Sequence, residues 1–364
     1  MKIIAHIVRI IVGVIFIFSG LVKLNDPTGT QIKLEEYFEV FATDFAFMHD
    51  FWIALIPYAL YFSILMCAAE VVLGVALLVS WRLKLINWIL LGLIVFFTFL
   101  TFYSAYYNKV TDCGCFGDFV KLKPWTSFGK DVVLLVLILF LIWQSSLFKS
   151  LRTGWLVGLS AIFSLGLAIY AIRYLPPFDF LPYKVGNNIP QLMQPSEPLR
   201  YKYIMEKDGK TQAFEKFPTD TTYKYKDMVL VNEYAKPKIT DYKVWNDEGD
   251  FTQQTFEGQK LIIIIKNGDE LNTASLAGIR KLIMDLKETS VVPLILTSLS
   301  QDQIEQIRSA HLLEVPYYYA DGTVLKTIVR SNPGIWLLQN GTVKGKWHYN
   351  TTPTAEEVLK RVRP

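Results

Sequence analysis

The sequence predicts a chain in two unlike parts: an α-helical membrane bundle, then an α/β domain entered through a small β-rich lead-in. Three observations predict it. Of 364 residues, 52% are hydrophobic and only 19% are charged, against about 25% charge in an ordinary soluble protein. The long apolar runs all fall in residues 1–175, whereas residues 176–364 hold most of the Lys, Asp, Glu, Asn and Thr. From residue 239 onward, apolar runs of strand length alternate with amphipathic runs of helix length. This composition excludes a disordered chain and a disulfide-stapled mini-protein. A net charge of +4 with no basic stripe gives no footing for a nucleic-acid partner.

A helix needs about 20 apolar residues to cross a bilayer core of ~30 Å. Five runs qualify: residues 3–24, 51–81, 85–107, 128–148 and 155–174. Each ends in charge, Pro or Gly, and most are flanked by Trp or Tyr, as an interfacial belt requires. The first run has no small-residue cleavage site after it, so it reads as a retained helix rather than a signal peptide. Between the first two runs, apolar Ile32, Leu34, Tyr37, Phe38, Val40 and Phe41 interleave with Lys33, Glu35, Glu36 and Glu39. Two readings stand for that segment: an amphipathic helix on the bilayer surface, or one packed on the bundle.

Charge counting sets the expected topology. The loops at residues 82–84 and 149–152 are short and basic, which places them and the N-terminus in the cytoplasm. The loops at residues 25–50 and 108–127 then lie outside, as does everything after Tyr174. Two runs separate the 108–127 loop from the soluble part, so both share a compartment whichever way the bundle points.

The chain has three cysteines. Cys113 and Cys115 form a C-x-C pair within Thr111-Asp112-Cys113-Gly114-Cys115-Phe116-Gly117-Asp118, and Cys67 stands alone in the second run. A C-x-C bridge closes a very small ring, hence a strained and readily reduced one. Lys109, Lys121 and Lys123 favour a thiolate there, and Asp112 and Asp118 oppose it. Four readings remain open for the pair: redox exchange, a purely structural bridge, metal binding, or no role. Metal binding lacks further ligands at zinc-site spacing. Cys67 reads as a small buried hydrophobe, ~24 Å along its helix from Phe51 and out of reach of the loop.

Glu70 lies deep in the second run. A carboxylate there is costly unless paired, so it is either a polar pin between helices or a group that contacts quinone or substrate. Lys23, Arg9 and Ser19 of the first run are its candidate partners.

The first run closes on Phe18-Ser19-Gly20-Leu21-Val22-Lys23-Leu24-Asn25-Asp26-Pro27. Glu70 follows among small residues, and then Asp112-Cys113-Gly114-Cys115-Phe116-Gly117. Together these resemble the DoxX/MauE superfamily of redox-associated membrane proteins, over about residues 1–147. The resemblance implies a four-helix core, to which the fifth helix is an added tether. It associates the chain with disulfide chemistry in the maturation of periplasmic proteins, with Cys113 and Cys115 as the exchanging pair, Glu70 in support, and a quinone as the possible cofactor. It also implies the inner membrane of a bacterium.

Residues 176–182 are a Pro-rich stop and linker. Strands are expected at residues 200–205 and 228–231, with a hairpin turn at Lys207-Asp208-Gly209-Lys210. Further on, strands are expected at 261–266, 291–297, 335–339 and 343–347, and helices at 275–288, 301–312 and 354–363. This order resembles the thioredoxin fold over about residues 239–363, with Asn332-Pro333 at that fold's cis-proline position. The departure is that no cysteine follows Cys115. Where the fold's C-x-x-C belongs, the chain reads Lys266-Asn267-Gly268-Asp269-Glu270-Leu271-Asn272. The expected division is therefore residues 1–150 as a DoxX/MauE-like bundle and 151–182 as fifth helix and linker. The β-rich lead-in takes 183–238 and a thioredoxin-like domain without C-x-x-C takes 239–364. Two functions compete. One is thiol–disulfide exchange with a periplasmic or membrane protein client. The other is a non-enzymatic scaffold whose soluble domain binds a partner protein.

Overall fold

The computed structural model describes residues 2–110, 117, 119–120 and 122–363. They form two compact units, Met1–Phe180 and Leu181–Pro364.

The first unit is helical: α1 Lys2–Asn25, α2 Pro27–Asp44, α3 His49–Leu55, α4 Ala59–Leu78, α5 Leu83–Tyr107, α6 Pro124–Trp143 and α7 Gly154–Tyr174. Five stretches are long and apolar enough to cross a membrane: Lys2–Asn25, Ala46–Leu78, Leu83–Tyr107, Pro124–Trp143 and Gly154–Tyr174. They correspond to the five apolar runs of the sequence. Ile3, Leu65, Trp88, Leu139 and Ile162 are exposed on their outer faces, as lipid contact requires and water would not tolerate in such number.

Two details differ from the sequence reading. The second run is not one helix. Pro57 has no backbone N–H to donate, and a 3-10 turn at Ile56–Tyr58 separates α3 from α4. The fourth run starts earlier than expected, because Pro124 sits in the first turn of α6 and presets its backbone. The amphipathic segment is α2. Asp26 caps it by accepting from the Gly29 N–H at 3.0 Å. It buries Leu34, Tyr37 and Phe41, the last two beside Leu100, Tyr103 and Val110, so it is packed on the bundle.

Helices α1 and α4 meet backbone to backbone. A Cβ on Gly20 would stand 2.8 Å from the Cys67 carbonyl oxygen, and one on Gly74 would stand 2.8 Å from that of Gly13. Close approach through small residues is how membrane helices gain contact where lipid offers no hydrophobic drive. At one end of the bundle the two short basic loops are joined. Leu151 N–H donates to Ser80 O at 2.9 Å, and Arg82 N–H donates to Ser150 Oγ at 2.9 Å. Arg9, from the start of α1, donates to Ser80 Oγ and lies over the Phe148 ring.

The second unit opens with the short helix α8 Ile189–Leu192 and a three-stranded antiparallel sheet in the order β2-β1-β3. Its strands are β1 Tyr201–Lys207, β2 Lys210–Phe214 and β3 Lys224–Leu230. Asp208 and Gly209 both have positive φ and make the expected hairpin turn between β1 and β2.

A seven-stranded mixed sheet follows. Its elements are β4 Val244–Asn246, β5 Gly249–Asp250, β6 Gln259–Ile265, α9 Leu276–Asp285, β7 Val291–Thr297, α10 Gln301–His311, β8 Tyr317–Ala320, α11 Gly322–Ile328, β9 Gly334–Gln339, β10 Thr342–His348 and α12 Ala355–Val362. The strand order is β10-β9-β6-β7-β8-β4-β5, with β6, β7 and β8 parallel and β9 antiparallel to β6. Leu261 to Ile265 are all 0% exposed, and Leu261, Ile263 and Ile265 share a core with Leu276 and Ile279 of α9 and Val358 of α12. The β4–β5 hairpin, β8 and α11 are additions to the sequence reading. The Asn332–Pro333 bond is cis, as expected.

Candidate functional site

Lys23 stands in the last turn of α1, and the glycine contact carries it to α4. Its Nζ lies 2.5 Å from Glu70 Oε1 and 4.6 Å from the centre of the Phe97 ring. Lys23 is 7% and Glu70 1% exposed, so the pair is enclosed by protein. Of the candidate partners, Lys23 takes Glu70, whereas Arg9 is engaged at the basic-loop end. Glu70 Oε2 is buried and has no hydrogen-bond partner among the described residues. One turn before it, Cys67 is wholly buried and its thiol faces Thr30 Oγ1 of α2 at 3.9 Å.

The sequence reading placed Cys67 ~24 Å along one continuous helix from Phe51. The break at Pro57 corrects this, since α4 begins at Ala59, which leaves Cys67 ~12 Å from the start of its helix.

The structure adds a second intramembrane carboxylate. Asp131 of α6 is 1% exposed; it accepts from Thr101 Oγ1 of α5 at 3.0 Å and lies 2.5 Å from Lys130 Nζ. Thr101 Oγ1 also lies 2.9 Å from the Phe97 carbonyl oxygen, which competes for its single hydrogen. The two carboxylates therefore flank one turn of α5. Sequence reasoning missed Asp131 because it follows Lys130 near the start of its run, where a charge reads as a flank. The signal was a carboxylate with only apolar residues after it as far as Trp143.

Cys113 and Cys115, with Asp112, Asp118 and Lys121, lie outside the described residues. The residues on either side of the pair are well seated. Lys109 Nζ reaches both oxygens of Asp44, at 2.5 and 2.6 Å, and the Tyr103 hydroxyl donates to the same carboxylate. The Lys109 hydrogen bond first, and then that of Tyr103, hold the Asp44 carboxyl below its ordinary value. Val110 is buried, and its carbonyl accepts from Ser104 Oγ at 2.8 Å. On the far side, Gly117 takes a φ of +50°, which favours glycine, and lies against Val22. Phe119 packs edge-on to Phe18 at 5.8 Å. One side of the pair is thus fixed to the ends of α2 and α5, and the other to the end of α1, beside Lys23.

Residues 1–144 match the family model described as methylamine utilisation protein MauE. The matched span runs from α1 to the end of α6 and contains Lys23, Glu70, Asp131, Cys113 and Cys115. Helix α7 lies beyond it. A second match, to a domain of unknown function (DUF8463), covers residues 199–231, the span of the three-stranded sheet. No curated protein and no solved structure matches the chain.

In the second unit, the stretch that stands where a C-x-x-C was sought is tied to Asn332. Asn332 Oδ1 accepts from Lys266 N–H at 3.0 Å, its Nδ2 donates to Asn267 O at 2.9 Å, and its carbonyl accepts from Asn272 N–H at 3.0 Å.

Proposed function

We propose that this membrane protein exchanges thiols and disulfides at Cys113 and Cys115, on the outer face of a bacterial inner membrane, during maturation of exported proteins. A client thiolate attacks one sulfur of the Cys113–Cys115 disulfide and releases the other as a thiolate. The client's second thiolate then closes the client disulfide, leaving Cys113 and Cys115 as a dithiol that carries the two electrons. The observation that carries this reading is the seating of Val110 and Gly117, on either side of the pair, at the bundle end where Lys23 and Glu70 are buried together. The MauE match spans all of these residues. A quinone, when bound, supplies the two-electron acceptor that regenerates the disulfide. Glu70 Oε2, which has no hydrogen-bond partner among the described residues, is the atom that would accept from the hydroxyl of the reduced group. Glu70 holds Lys23 at this end of the bundle.

A second reading is a scaffold whose second unit, read as thioredoxin-like, binds a partner protein. The order of β6 to α12 and the strand order β10-β9-β6-β7 support that fold. The absence of any cysteine after Cys115, and the Asn332 hydrogen bonds in place of a dithiol, favour binding over exchange there.

The test is the reduction potential of the Cys113–Cys115 pair in the purified full chain, read by alkylation mass shift across a redox buffer series. A value between about −120 and −230 mV, the range of catalytic exchangers, is expected. A bridge still closed below about −300 mV, or thiols that never pair, leaves the scaffold reading.

A further inference from the structure

Two left-handed residues shape the turn between α4 and α5. Ser80 has a φ of +58° and Arg82 a φ of +41°, a region that residues other than glycine seldom enter. Such a turn persists where its surroundings over-determine it. The connection between α6 and α7 does this. Leu151 N–H donates to Ser80 O, Ser150 Oγ accepts from Arg82 N–H, and Thr153 Oγ1 donates to Val79 O, each at 2.9 Å. Arg9 of α1 donates to Ser80 Oγ. Trp81 packs on the first residue of α7, where a Cβ on Gly154 would stand 3.0 Å from its Nε1.

The two connections so joined carry Arg82, Lys84, Lys149 and Arg152, all exposed. Residues 76–90 and 140–157 contain no Asp or Glu, and none of the four cations is ion-paired among the described residues. Cations gathered by the hydrogen bonds of their own loops repel one another, and an anion among them relieves the repulsion. The surroundings say which anion. Trp143 at the end of α6 and Trp155 in the first turn of α7 are 73% and 70% exposed. Exposed Trp at the end of an apolar helix marks the headgroup level of a bilayer. Leu85 and Leu151, next in sequence to Lys84 and Arg152, are exposed as well. Positive charge beside apolar surface matches a lipid, which offers a phosphate and acyl chains together.

We propose that Arg82, Lys84, Lys149 and Arg152 bind the headgroup of an anionic phospholipid. The site needs both connections. Arg82 and Lys84 lie within the MauE match, whereas Lys149 and Arg152 lie beyond it, just before α7. The headgroup therefore bridges the matched bundle and the added helix. The site depends neither on exchange at Cys113 and Cys115 nor on the orientation of the bundle.

The experiment uses the purified full chain in detergent, with phosphatidylglycerol and phosphatidylcholine as probes and lipid retention read by native mass spectrometry. Phosphatidylglycerol is expected to bind about tenfold more tightly than phosphatidylcholine. Arg82→Gln and Arg152→Gln are each expected to weaken phosphatidylglycerol about fivefold, the worth of one cation near an anionic headgroup, and to leave phosphatidylcholine unchanged. Arg82→Lys keeps the charge and is expected to stay within about twofold of wild type, as is Lys33→Gln on α2, which removes a cation outside the cluster. Arg82 and Arg152 are exposed, so the Gln variants spare the core, and the thermal midpoint without added lipid checks this. Gln variants that lose both lipids alike, or that hold phosphatidylglycerol within about twofold of wild type, overturn the proposal. Equal affinities of the wild-type chain for the two lipids overturn it too. Displacement of phosphatidylglycerol by inorganic phosphate at equal concentration overturns the lipid as the ligand, in favour of the free anion.

Discussion

At the scale of the residue, the buried pair of Lys23 and Glu70 is the most informative feature. Glu70 was legible because a carboxylate amid apolar residues has no cheap alternative to a partner. Lys23 was legible only as one of three partners, since helical spacing alone does not say which residue of α1 faces α4. The glycine contacts decide it. Removing one member of an enclosed pair leaves the other charged and unpaired, which costs about 3–5 kcal/mol, whereas removing both is often nearly neutral. Lys23→Met and Glu70→Gln are each expected to be strongly destabilising, with the double variant closer to wild type than either. Denaturant titration of the three variants in detergent checks this. Additive losses in the double variant are incompatible with a coupled pair and point to two independent structural roles. Asp131 was not legible, because its neighbour Lys130 made the start of α6 look like an ordinary flank.

At the scale of the element, what the sequence obscured is where helices break and how loops are tied. Pro57 breaks the second apolar run in a stretch that stays apolar on both sides, so hydropathy carried no mark of it. Strand β8 and helix α11 escaped notice because they are short and joined by Asp321 alone, which caps α11 by accepting from Thr323 and Val324 N–H. The tie between Lys109 and Asp44 joins residues 65 apart in the chain, a separation over which no sequence pattern operates. It is expected to make the seating of Lys109 and Val110 depend on pH.

Asp44 has a folded-state value lowered by Lys109 and Tyr103. Its contribution is therefore present above its unfolded value, about 3.9, and is lost as pH falls through the lowered folded value. Hydrogen-exchange protection at Lys109 and Val110, normalised to an unstructured peptide, is expected to hold at neutral pH and to fall only below about pH 4. In Asp44→Asn it is expected to be low at every pH and to show no transition. A wild-type profile that is flat down to pH 2, or a variant that still shows the transition, assigns the protection of Lys109 and Val110 to the packing of Val110 instead.

At the scale of the whole molecule, the question is which compartment each part occupies. Five stretches are long and apolar enough to cross a membrane, and five crossings would put the two ends of the bundle chain on opposite sides. The structure strengthens the charge argument in two ways. The basic loops around Arg82 and Ser150 are hydrogen-bonded to each other, with Arg9 close by, so their positive charges act as one cluster at one end. Lys23, at the other end of α1, is enclosed against Glu70 and is not a loop charge. On the positive-inside rule we propose that this cluster lies in the cytoplasm and that both the cysteine loop and the second unit lie outside. In a background with the three native cysteines replaced by Ser, Lys184→Cys is expected to react with an impermeant maleimide on intact spheroplasts. Ser150→Cys is expected to react only after permeabilisation. The reverse pattern overturns the orientation and, with it, exchange with exported clients, because the cysteine loop would then face a reducing cytosol. Reaction at both positions before permeabilisation, or at neither, overturns the odd number of crossings itself.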